Sequence, residues 1–506
     1  MSDAYFMGID TGTSETKGVL IDVDANIIAT AAAGHEIKQV GPNAYDHDAE
    51  KDWWGDFCKV SNELISKSGV NPSDIKCVTS SALGLCCVAV DENCVPTRPA
   101  ISYGIDGRAE KQMRDLEAEW GPEFIDRVFG RPLCSSDVPP KIRWIQENDP
   151  EAYERTAKFI NSSTYITAKL TGEYYIDDFL GMAGGFKPLY GEDGHPTEET
   201  CKGICRPDQL ATIAHETDVI GHVTEQAAAE TGLAVGTPVT PGGDDSACEA
   251  ISCGIGKQGD LIVQFGSTIY MFLLTDHLVM DPRVWHEEFI IPGTCDVSGA
   301  TNTAGSMTKW LRDTMFVDLK AAEEAGGENA YTAMANLAAE VPAGANGLVC
   351  LPYFAGERTP IDDPNARGAF VGLTIGHTRE DMLRAGLEGG ADSINQHFRV
   401  CAEDGVPIKR VLVAGGGTKN AAWMQIVADV TGKTLVVPEV TIGASYGDAM
   451  MAAIAAGYWK DFDELASKVK IAKTYEPNPD NREVYDRYQQ IFDELYPATK
   501  ELVHKL

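Results

Sequence analysis

The chain has 506 residues, of which 43% are hydrophobic and 23% are charged, as expected for a globular protein with more than one core. Its 42 basic and 76 acidic residues give a formal net charge of −34, which argues against a nucleic-acid partner or an anionic membrane surface. The sequence has neither an apolar run of about 20 residues nor a recognisable secretory signal, so we expect a cytoplasmic protein. Its 13 cysteines are scattered, which predicts free thiols in a reducing compartment.

The first predicted element is a β-hairpin with strands over residues 5–10 and 18–23. Its turn begins Asp10-Thr11-Gly12-Thr13-Ser14, where small residues let backbone N–H groups approach a phosphate. Asp10 ends the first strand and suits a Mg²⁺ ion held largely through water. An ordinary hairpin with a glycine turn explains the same pattern equally well.

Two buried strands, predicted at residues 75–81 and 86–91, lead to a loop that contains Asp106 and Arg108. A carboxylate and a guanidinium two residues apart can bind a polyol, one accepting and one donating hydrogen bonds. They can equally form a structural ion pair, and their spacing does not decide between the two. Helical patterns dominate residues 109–172.

Proline and glycine breakers just before Gly242 indicate a domain boundary, so we predict domains at residues 1–242 and 243–506. A glycine turn with two carboxylates follows. Residues 261–271 then repeat the order strand, Gly-hydroxyl turn, strand, with Gly266-Ser267-Thr268 at the turn. Because each predicted domain begins with such a hairpin, the pattern indicates duplicated domains that face one nucleotide.

A third glycine-rich turn supports this interpretation. A strand at residues 411–414 runs into Gly415-Gly416-Gly417, and a helix carrying Trp423 follows. The glycines allow a ligand close to the backbone, and a helix N-terminus favours anionic groups. A tight strand–helix connection is the alternative. A further helix over about residues 443–456 is rich in Gly and Ala and is predicted to pack closely.

In this order, and over about residues 5–458, these features resemble the FGGY carbohydrate kinase family, with its xylulokinase-like branch nearest. The internal signatures that agree are Lys141-Ile142-Arg143-Trp144, Glu357-Arg358-Thr359-Pro360, Gly368-Ala369-Phe370-Val371-Gly372-Leu373 and Ala385-Gly386-Leu387-Glu388. Gly386 departs from the usual residue of the last signature. The resemblance implies an α/β fold of two actin/hexokinase-like (ribonuclease-H-like) domains hinged over a central cleft. It implies ATP and Mg²⁺ as cofactors.

The resemblance also implies roles for individual residues. Asp10 would hold Mg²⁺, and Asp245 would be the catalytic base, because the family pattern is Gly-Gly-x-Asp and Asp244 occupies its variable position. The implied nucleotide-binding residues are Thr13, Ser14, Lys17, Gly266, Ser267, Thr268, Gly305, Gly415, Gly416, Gly417 and Asn420. The implied substrate-binding residues are Leu83, Gly84, Asp106, Arg108 and Asp245.

The predicted sugar pocket departs from the family pattern. Ala82-Leu83-Gly84-Leu85-Cys86 stands where xylulokinases usually have Gln-Met-His-Gly, and Gly104 replaces an aromatic residue that usually precedes Asp106 by two positions. D-xylulose or a related ketose is the default substrate. Another pentulose, a tetrose or a polyol is the alternative, since loss of a hydrogen-bonding histidine favours a smaller or less oxygenated molecule.

A nucleotide-binding switch like actin or the heat-shock chaperones is the alternative outside sugar phosphorylation. Asp245 and the loop of Asp106 favour a kinase, since a switch needs no base for a hydroxyl group. The expected partner is a small sugar, without nucleic acid or membrane, and a homodimer is a possible assembly. The final helices, from about residue 483, form a C-terminal tail. The sequence does not decide whether this tail packs on the first domain.

Overall fold

The computed structural model describes residues 4–129, 132–179 and 185–506. Within these residues the chain forms two compact units. The first unit extends to Gly254 and also takes in Ile442–Lys468. The second consists of Ile255–Thr441 and Val469–Leu506. The chain therefore passes between the units three times.

Strands and helices alternate in both units. The strands are β1 Tyr5–Thr11, β2 Glu15–Asp22, β3 Ile27–Gly34, β4 Lys38–Gly41, β5 Ala44–His47, β6 Ile75–Thr79, β7 Ser81–Ala82, β8 Val88–Val90, β9 Ala100–Ile101, β10 Lys158–Ile160, β11 Tyr175–Asp177, β12 Thr212–Ala214, β13 Gly221–His222, β14 Pro238–Val239, β15 Gly243–Asp244, β16 Asp260–Phe265, β17 Ile269–Thr275, β18 Trp285–Glu288, β19 Cys295–Thr301, β20 Val349–Leu351, β21 Ala369–Val371, β22 Arg410–Ala414, β23 Leu435–Pro438 and β24 Ile471–Tyr475. The α-helices are α1 Gly55–Ser68, α2 Glu110–Trp120, α3 Pro122–Phe129, α4 Val138–Asn148, α5 Pro150–Arg155, α6 Ser162–Thr171, α7 Glu225–Thr231, α8 Asp245–Ser252, α9 Gly305–Thr314, α10 Val317–Glu324, α11 Ala330–Glu340, α12 Arg379–Glu403, α13 Ala421–Thr431, α14 Ala444–Ala455, α15 Phe462–Lys468 and α16 Arg482–Val503. In the ranges described above, no helix is both long and apolar enough to cross a membrane.

The sheet of the first unit runs in the order β13-β14-β6-β1-β2-β3. The predicted hairpin is confirmed, since β1 and β2 pair antiparallel from Tyr5 opposite Asp22 to Thr11 opposite Thr16. Strands β6 and β14 extend the sheet in parallel on the other side of β1. Strand β7 pairs with the end of β1, and β15 pairs with β7. The central strand β1 is mostly buried, whereas β3 alternates between buried and exposed residues because only one of its faces is covered.

The sheet of the second unit repeats this arrangement. Its order is β18-β19-β17-β16-β22-β23-β24. The hairpin predicted around Gly266 is formed by β16 and β17, which pair antiparallel, and β19 continues antiparallel beside β17. Strands β22 and β23 follow in parallel on the other side of β16. Each unit thus contains three antiparallel strands next to two parallel strands, which confirms the expectation of two related α/β domains.

Helix α14 covers β1 in the first unit, although it lies in the predicted second half of the sequence. A Cβ atom added to Gly8 of β1 would lie 2.1 Å from the carbonyl oxygen of Ser445. A Cβ atom on Gly447 would lie 2.0 Å from the carbonyl oxygen of Cys248 in α8. The predicted close packing of this helix is therefore confirmed, and its glycine lets the backbones of α14 and α8 touch.

The compact units differ from the predicted ranges 1–242 and 243–506 in two stretches. Residues 243–254 belong to the first unit, because β15 pairs with β7 and α8 packs against α14. Residues 442–468 also belong to it. The helical pattern at 109–172 is interrupted as well, since Lys158–Ile160 pairs with β8 as a strand.

The C-terminal helix α16 packs within the second unit. The guanidinium of Arg384 in α12 donates to the Tyr485 hydroxyl at 2.6 Å, and that hydroxyl donates to Glu388 Oε1 at 3.0 Å. Phe492 is fully buried in a small core with residues of β20. The tail is thus part of the second unit.

All thirteen cysteines are free. Cys77, Cys86 and Cys87 are fully or almost fully buried, and burial raises the pKa of each thiol. Such thiols act as small apolar residues of the core, as predicted.

Candidate active site

Acidic side chains from four elements of the first unit influence one another, and we call them the carboxylate cluster: Asp10, Asp244, Asp245, Glu249 and Asp448. Burial raises the pKa of Asp10 to about 7; the Ser81 hydroxyl and the Lys17 ammonium oppose this effect, while Glu249 and Asp244 add to it. So many carboxylates beside one lysine make a region that attracts cations.

Ser81 connects two members of the cluster. Its backbone N–H and its hydroxyl donate to Asp448 Oδ2 at 3.0 and 2.7 Å, and the same hydroxyl lies 3.2 Å from Asp10 Oδ1. Asp448 is fully buried, and burial, followed by the charge of Asp10, raises its pKa well above the ordinary value. Its other oxygen, Oδ1, has no hydrogen-bond partner among the described residues.

Asp244 and Asp245 are adjacent in sequence but differ in their hydrogen bonds. Asp244 is the N-cap of α8, and its Oδ1 accepts from the backbone N–H groups of Ser246 at 3.0 Å and Ala247 at 3.2 Å, as well as from the Ser246 hydroxyl. Asp245 is the first residue of the helix, and burial, Asp244 and Asp10 raise its pKa well above the ordinary value. Capping therefore occupies Asp244 and leaves Asp245 better placed to act on a ligand.

The cluster has the chemistry of a site for a hard divalent cation. Carboxylate oxygens are the protein ligands that Mg²⁺ prefers, and the buried Asp448 Oδ1 has a lone pair without a donor among the described residues. Asp10 is partly exposed at the end of β1, where water can complete the shell of an ion. The residues present thus fit Mg²⁺.

The tip of the first hairpin is held by contacts that the sequence did not reveal. The Thr13 hydroxyl donates to the Tyr103 hydroxyl at 3.1 Å. One ring nitrogen of His35 lies 3.1 Å from the Gly12 carbonyl, and the other lies 3.0 Å from an Asp56 oxygen. Ser14 and Lys17 are exposed beside the tip.

Asp106 and Arg108 form an ion pair. The Arg108 Nε lies 2.9 Å from both Asp106 oxygens, and its Nη2 lies 2.7 Å from Asp106 Oδ2 and 2.6 Å from Asp46 Oδ1. Asp106 also accepts from the Tyr45 backbone N–H at 2.6 Å. The arginine packs on the Trp144 ring at 5.2 Å. The alternative of a structural ion pair thus matches these contacts, which use both oxygens of Asp106.

The loop after β7 is apolar where the family pattern is polar. Leu83 and Leu85 are each 2% exposed, and the Leu83 backbone N–H donates to the Thr11 carbonyl at 2.9 Å. Gly84 between them is partly exposed. The buried Lys141 ammonium donates to the Leu85 carbonyl at 3.0 Å, which holds the loop in place.

Gly104 lies where the backbone comes close to a neighbouring loop. A Cβ atom there would lie 2.6 Å from the Ser136 hydroxyl, and the Ser135 hydroxyl donates to the Gly104 carbonyl. A larger side chain at this position would displace that loop. The neighbouring aromatic residue Tyr103 contacts the hairpin tip through its hydroxyl, which accepts from the Thr13 hydroxyl.

The second unit contains a cavity of about 780 Å³. Six of the predicted nucleotide-binding residues line it, namely Gly266, Ser267, Gly305, Gly416, Gly417 and Asn420. Tyr331, Met334 and Leu383 add an apolar surface, and Lys309 adds a cationic side chain. None of these four residues was predicted from the sequence; the helical spacing of Tyr331 and Met334 was the available signal.

The second hairpin is fastened to the start of α9. The Gly266 carbonyl accepts from the Gly305 backbone N–H at 3.1 Å, and the Ser267 carbonyl accepts from the Ser306 hydroxyl at 2.9 Å. A Cβ atom on Gly305 would lie 2.4 Å from the Gly266 carbonyl oxygen, so this position requires glycine. The Thr268 carbonyl accepts from the Gly266 backbone N–H at 2.9 Å and closes the turn.

The three glycines after β22 serve different purposes. Gly415 has a φ of +87°, and Gly417 packs so closely that a Cβ atom would lie 2.7 Å from that of Phe265. Gly416 has open space around its Cβ position and lines the cavity. Asn420 caps α13 by accepting from the Trp423 backbone N–H at 3.0 Å. The turn thus presents backbone and a helix N-terminus to the cavity.

Comparison with known proteins agrees with this geometry. The N-terminal domain of the FGGY family of carbohydrate kinases matches residues 5–252, and its C-terminal domain matches residues 263–456. A xylulose kinase from Staphylococcus epidermidis is 28% identical, over 99% of this chain and 98% of its own length. A gluconokinase from Bacillus subtilis is 26% identical, over 97% and 95%.

A solved structure matches over the full length. The crystal structure of xylulose kinase from Rhodospirillum rubrum superposes with a TM-score of 0.87 at 30% sequence identity, covering 99% of this chain and 100% of that one. Both domain matches and this likeness extend over the hairpins, the carboxylate cluster and the glycine-lined cavity. The chain belongs to the FGGY family of carbohydrate kinases.

Proposed function

We propose that this carbohydrate kinase transfers the γ-phosphoryl group of ATP to a hydroxyl of a small sugar, with D-xylulose or a closely related ketose as the substrate. The observation that carries the proposal is the state of Asp245. Burial raises the pKa of both neighbouring aspartates, but Asp244 is occupied as a helix cap, whereas the charges of Asp244 and Asp10 raise the pKa of Asp245, at the start of α8, further. That is the arrangement of a general base rather than of a structural acid.

In the proposed reaction, Asp245 accepts the proton of the attacking sugar hydroxyl while the hydroxyl oxygen bonds to the γ-phosphorus. The bond between that phosphorus and the oxygen bridging to the β-phosphate breaks, and ADP leaves. The raised pKa of Asp245 makes its carboxylate a stronger base than an exposed aspartate would be. The hairpin-tip N–H groups and Thr13 are suited to hold phosphate oxygens during transfer.

Asp10 is the residue that would hold Mg²⁺, with Asp448 and Ser81 keeping its carboxylate in place through the hydrogen bonds described above. When bound, the ion would neutralise part of the negative charge on the phosphate groups of ATP. The excess of negative side chains around Asp10 supports this assignment.

The cavity of the second unit is proposed to hold the nucleotide. Its volume is in the range of small-molecule sites, and it combines an apolar wall with glycine turns. Gly416 permits close approach of a ligand to the backbone. The Lys309 ammonium lies 2.6 Å from Asp313 Oδ2, but its side chain is 64% exposed, so it is able to turn toward anionic groups in the cavity.

The proposal of D-xylulose rests on the relatives named xylulose kinase. The predicted substrate-binding residues of the first unit favour a second candidate. Leu83 and Leu85 are buried and apolar, and both Asp106 oxygens are already bonded within the protein. Fewer polar side chains are then left for hydroxyl groups. Another pentulose, a tetrose or a polyol is therefore the alternative substrate.

A coupled assay of ADP formation tests both the kinase activity and the choice of sugar substrate. The panel would contain D-xylulose, D-ribulose, L-ribulose, erythrulose, gluconate and glycerol, each with Mg²⁺ and ATP. We expect D-xylulose or another ketose to give the highest kcat/KM. A higher value for a polyol would overturn the substrate assignment, and ADP release that no sugar changes would overturn the kinase assignment.

The matched variants Asp245→Asn and Asp244→Asn test the base. Asp245→Asn should lower kcat by about 10²–10⁴-fold and leave ATP binding intact, since proton acceptance is lost. Asp244→Asn keeps a side-chain acceptor at the N-cap and should lose much less activity. Equal losses in the two variants would contradict the assignment of Asp245.

A further inference from the structure

A second cluster of ionisable residues lies at one edge of a two-stranded sheet in the first unit. Strands β11 and β12 pair in parallel, with Asp177 opposite Ala214. Because the strands are parallel, their carboxyl ends meet at the same edge. Asp178 follows β11 directly, and His215-Glu216 follows β12. The topology thus brings two short acidic segments and a histidine together.

One nitrogen of His215 is at the centre of this cluster. Its Nδ1 lies 2.6 Å from Glu216 Oε2 and 3.5 Å from Asp178 Oδ1. Ligand atoms of the three residues lie within 4.8 Å of one another. Around a tetrahedral ion with bonds of about 2.0–2.2 Å, ligand atoms are roughly 3.3–3.5 Å apart. The spacing of Asp178 and His215 already matches that geometry.

The contact between His215 and Glu216 calls for a positive charge. Nδ1 also lies 2.8 Å from the Glu216 backbone nitrogen, and with a carboxylate oxygen at 2.6 Å it is the nitrogen that carries a proton and donates it to Glu216 Oε2. A proton on the ring nitrogen accounts for this short contact, and a metal ion bound at Nδ1 would take the place of that proton. An ion in the place of the proton requires this distance to lengthen by about 0.7 Å to reach tetrahedral spacing.

Glu216 is buried without enough partners for its charge. Its side chain is 0% exposed, and its Oε1 has no hydrogen-bond partner in the part of the chain that the structure describes. A single imidazole does not balance the carboxylates of both Asp178 and Glu216, so a bound divalent cation would remove a large desolvation cost.

We propose that Asp178, His215 and Glu216 bind a divalent transition-metal ion of the Zn²⁺ type. The imidazole nitrogen favours Zn²⁺ over Mg²⁺, which prefers an all-oxygen shell. Asp178 is 47% exposed at its side chain, so an ion can enter from solvent and keep a water as its fourth ligand. The ion would link the ends of β11 and β12 and stabilise the first unit.

Metal binding by the full chain tests this proposal directly. Protein stripped with a chelator would be titrated with Co²⁺, whose visible absorption reports low-coordinate nitrogen–oxygen ligation, and with Zn²⁺ in competition. We expect one Co²⁺ per chain with such absorption, and displacement by Zn²⁺. His215→Asn and Glu216→Gln should each weaken binding at least tenfold.

Two controls separate this site from the carboxylate cluster and from misfolding. Asp10→Asn should leave the Co²⁺ absorption unchanged, and so should His222→Asn, which removes an exposed histidine from β13. Zn²⁺ should raise the Tm of the wild type but not that of Glu216→Gln. Absorption that persists in folded His215→Asn, or a wild-type Tm that Zn²⁺ does not change, would overturn the proposal.

Discussion

Asp244 and Asp245 show at the level of single residues how position decides the chemistry of a side chain. Burial raises the pKa of both aspartates, but the N-cap hydrogen bonds oppose this effect at Asp244, whereas the charges of Asp244 and Asp10 add to it at Asp245. From the sequence, Asp245 could be assigned as the base only through the family pattern. The capping role of Asp244 depends on which residue begins the helix, and the sequence does not show this. Asp448 was missed, since an acidic residue in a Gly- and Ala-rich helix gives no local indication of its neighbours.

His47 is a buried histidine whose titration should limit stability in acid. Its side chain is fully buried, neither ring nitrogen has a hydrogen-bond partner within the described residues, and burial and His35 lower its pKa to about 4. Below pH 6.5 the unfolded chain takes up a proton that the folded protein does not. Stability is therefore lost as pH falls from about 6.5 to 4, by about 2 kcal/mol between pH 7 and pH 5.

Replacement of this histidine tests that expectation. His47→Leu should reduce the loss of stability between pH 7 and pH 5, measured from urea unfolding at each pH. His222→Asn, which removes an exposed histidine, serves as the control and should leave the slope unchanged. An identical pH dependence in wild type and His47→Leu would contradict the assignment.

At the level of elements, the two hairpins and the glycine turn after β22 were predictable because each is a local pattern of apolar strand and small residues. The ion pair of Asp106 and Arg108 was left open, since spacing does not show which atoms a side chain reaches. The position of α14 in the first unit depends on contacts with β1 and α8, which are far away in sequence. Local pattern cannot reveal such contacts.

The glycine turn gives a prediction that separates packing from binding. Gly417→Ala should destabilise the protein by about 1–3 kcal/mol, because its Cβ would lie 2.7 Å from that of Phe265. Gly416→Ala meets no atom within 4 Å and should leave stability unchanged. Its methyl group enters the cavity, so we expect the KM for ATP to rise about tenfold, or about 1.4 kcal/mol.

Chemical unfolding and ATP kinetics on both variants check this division. Each glycine is thus the control for the other. Destabilisation of Gly416→Ala, or an unchanged KM for ATP in that variant, would contradict the proposed role of the turn.

At the scale of the whole molecule, neither unit is a continuous stretch of sequence. The first unit needs residues 442–468 to cover β1, so a fragment ending at Gly254 leaves the apolar side of that strand without α14. We expect this fragment to lack a cooperative thermal transition. Addition of a peptide of residues 442–468 should restore one, as followed by circular dichroism.

A peptide of the same composition in scrambled order is the control for that experiment. Cooperative unfolding of the fragment alone would show that α14 is dispensable for the first core.

The position of α14 also sets the order of events during protein synthesis. Strand β1 ends at Thr11 and α14 begins at Ala444, so roughly 430 residues are translated before the strand can be covered. At about 5–20 residues per second this takes roughly 20 to 90 s. Throughout that time the nascent first domain is expected to expose a β-sheet face to the solvent around the ribosome. Slow elongation or early release within this window would favour aggregation over folding, which makes translation itself a determinant of the yield of active enzyme.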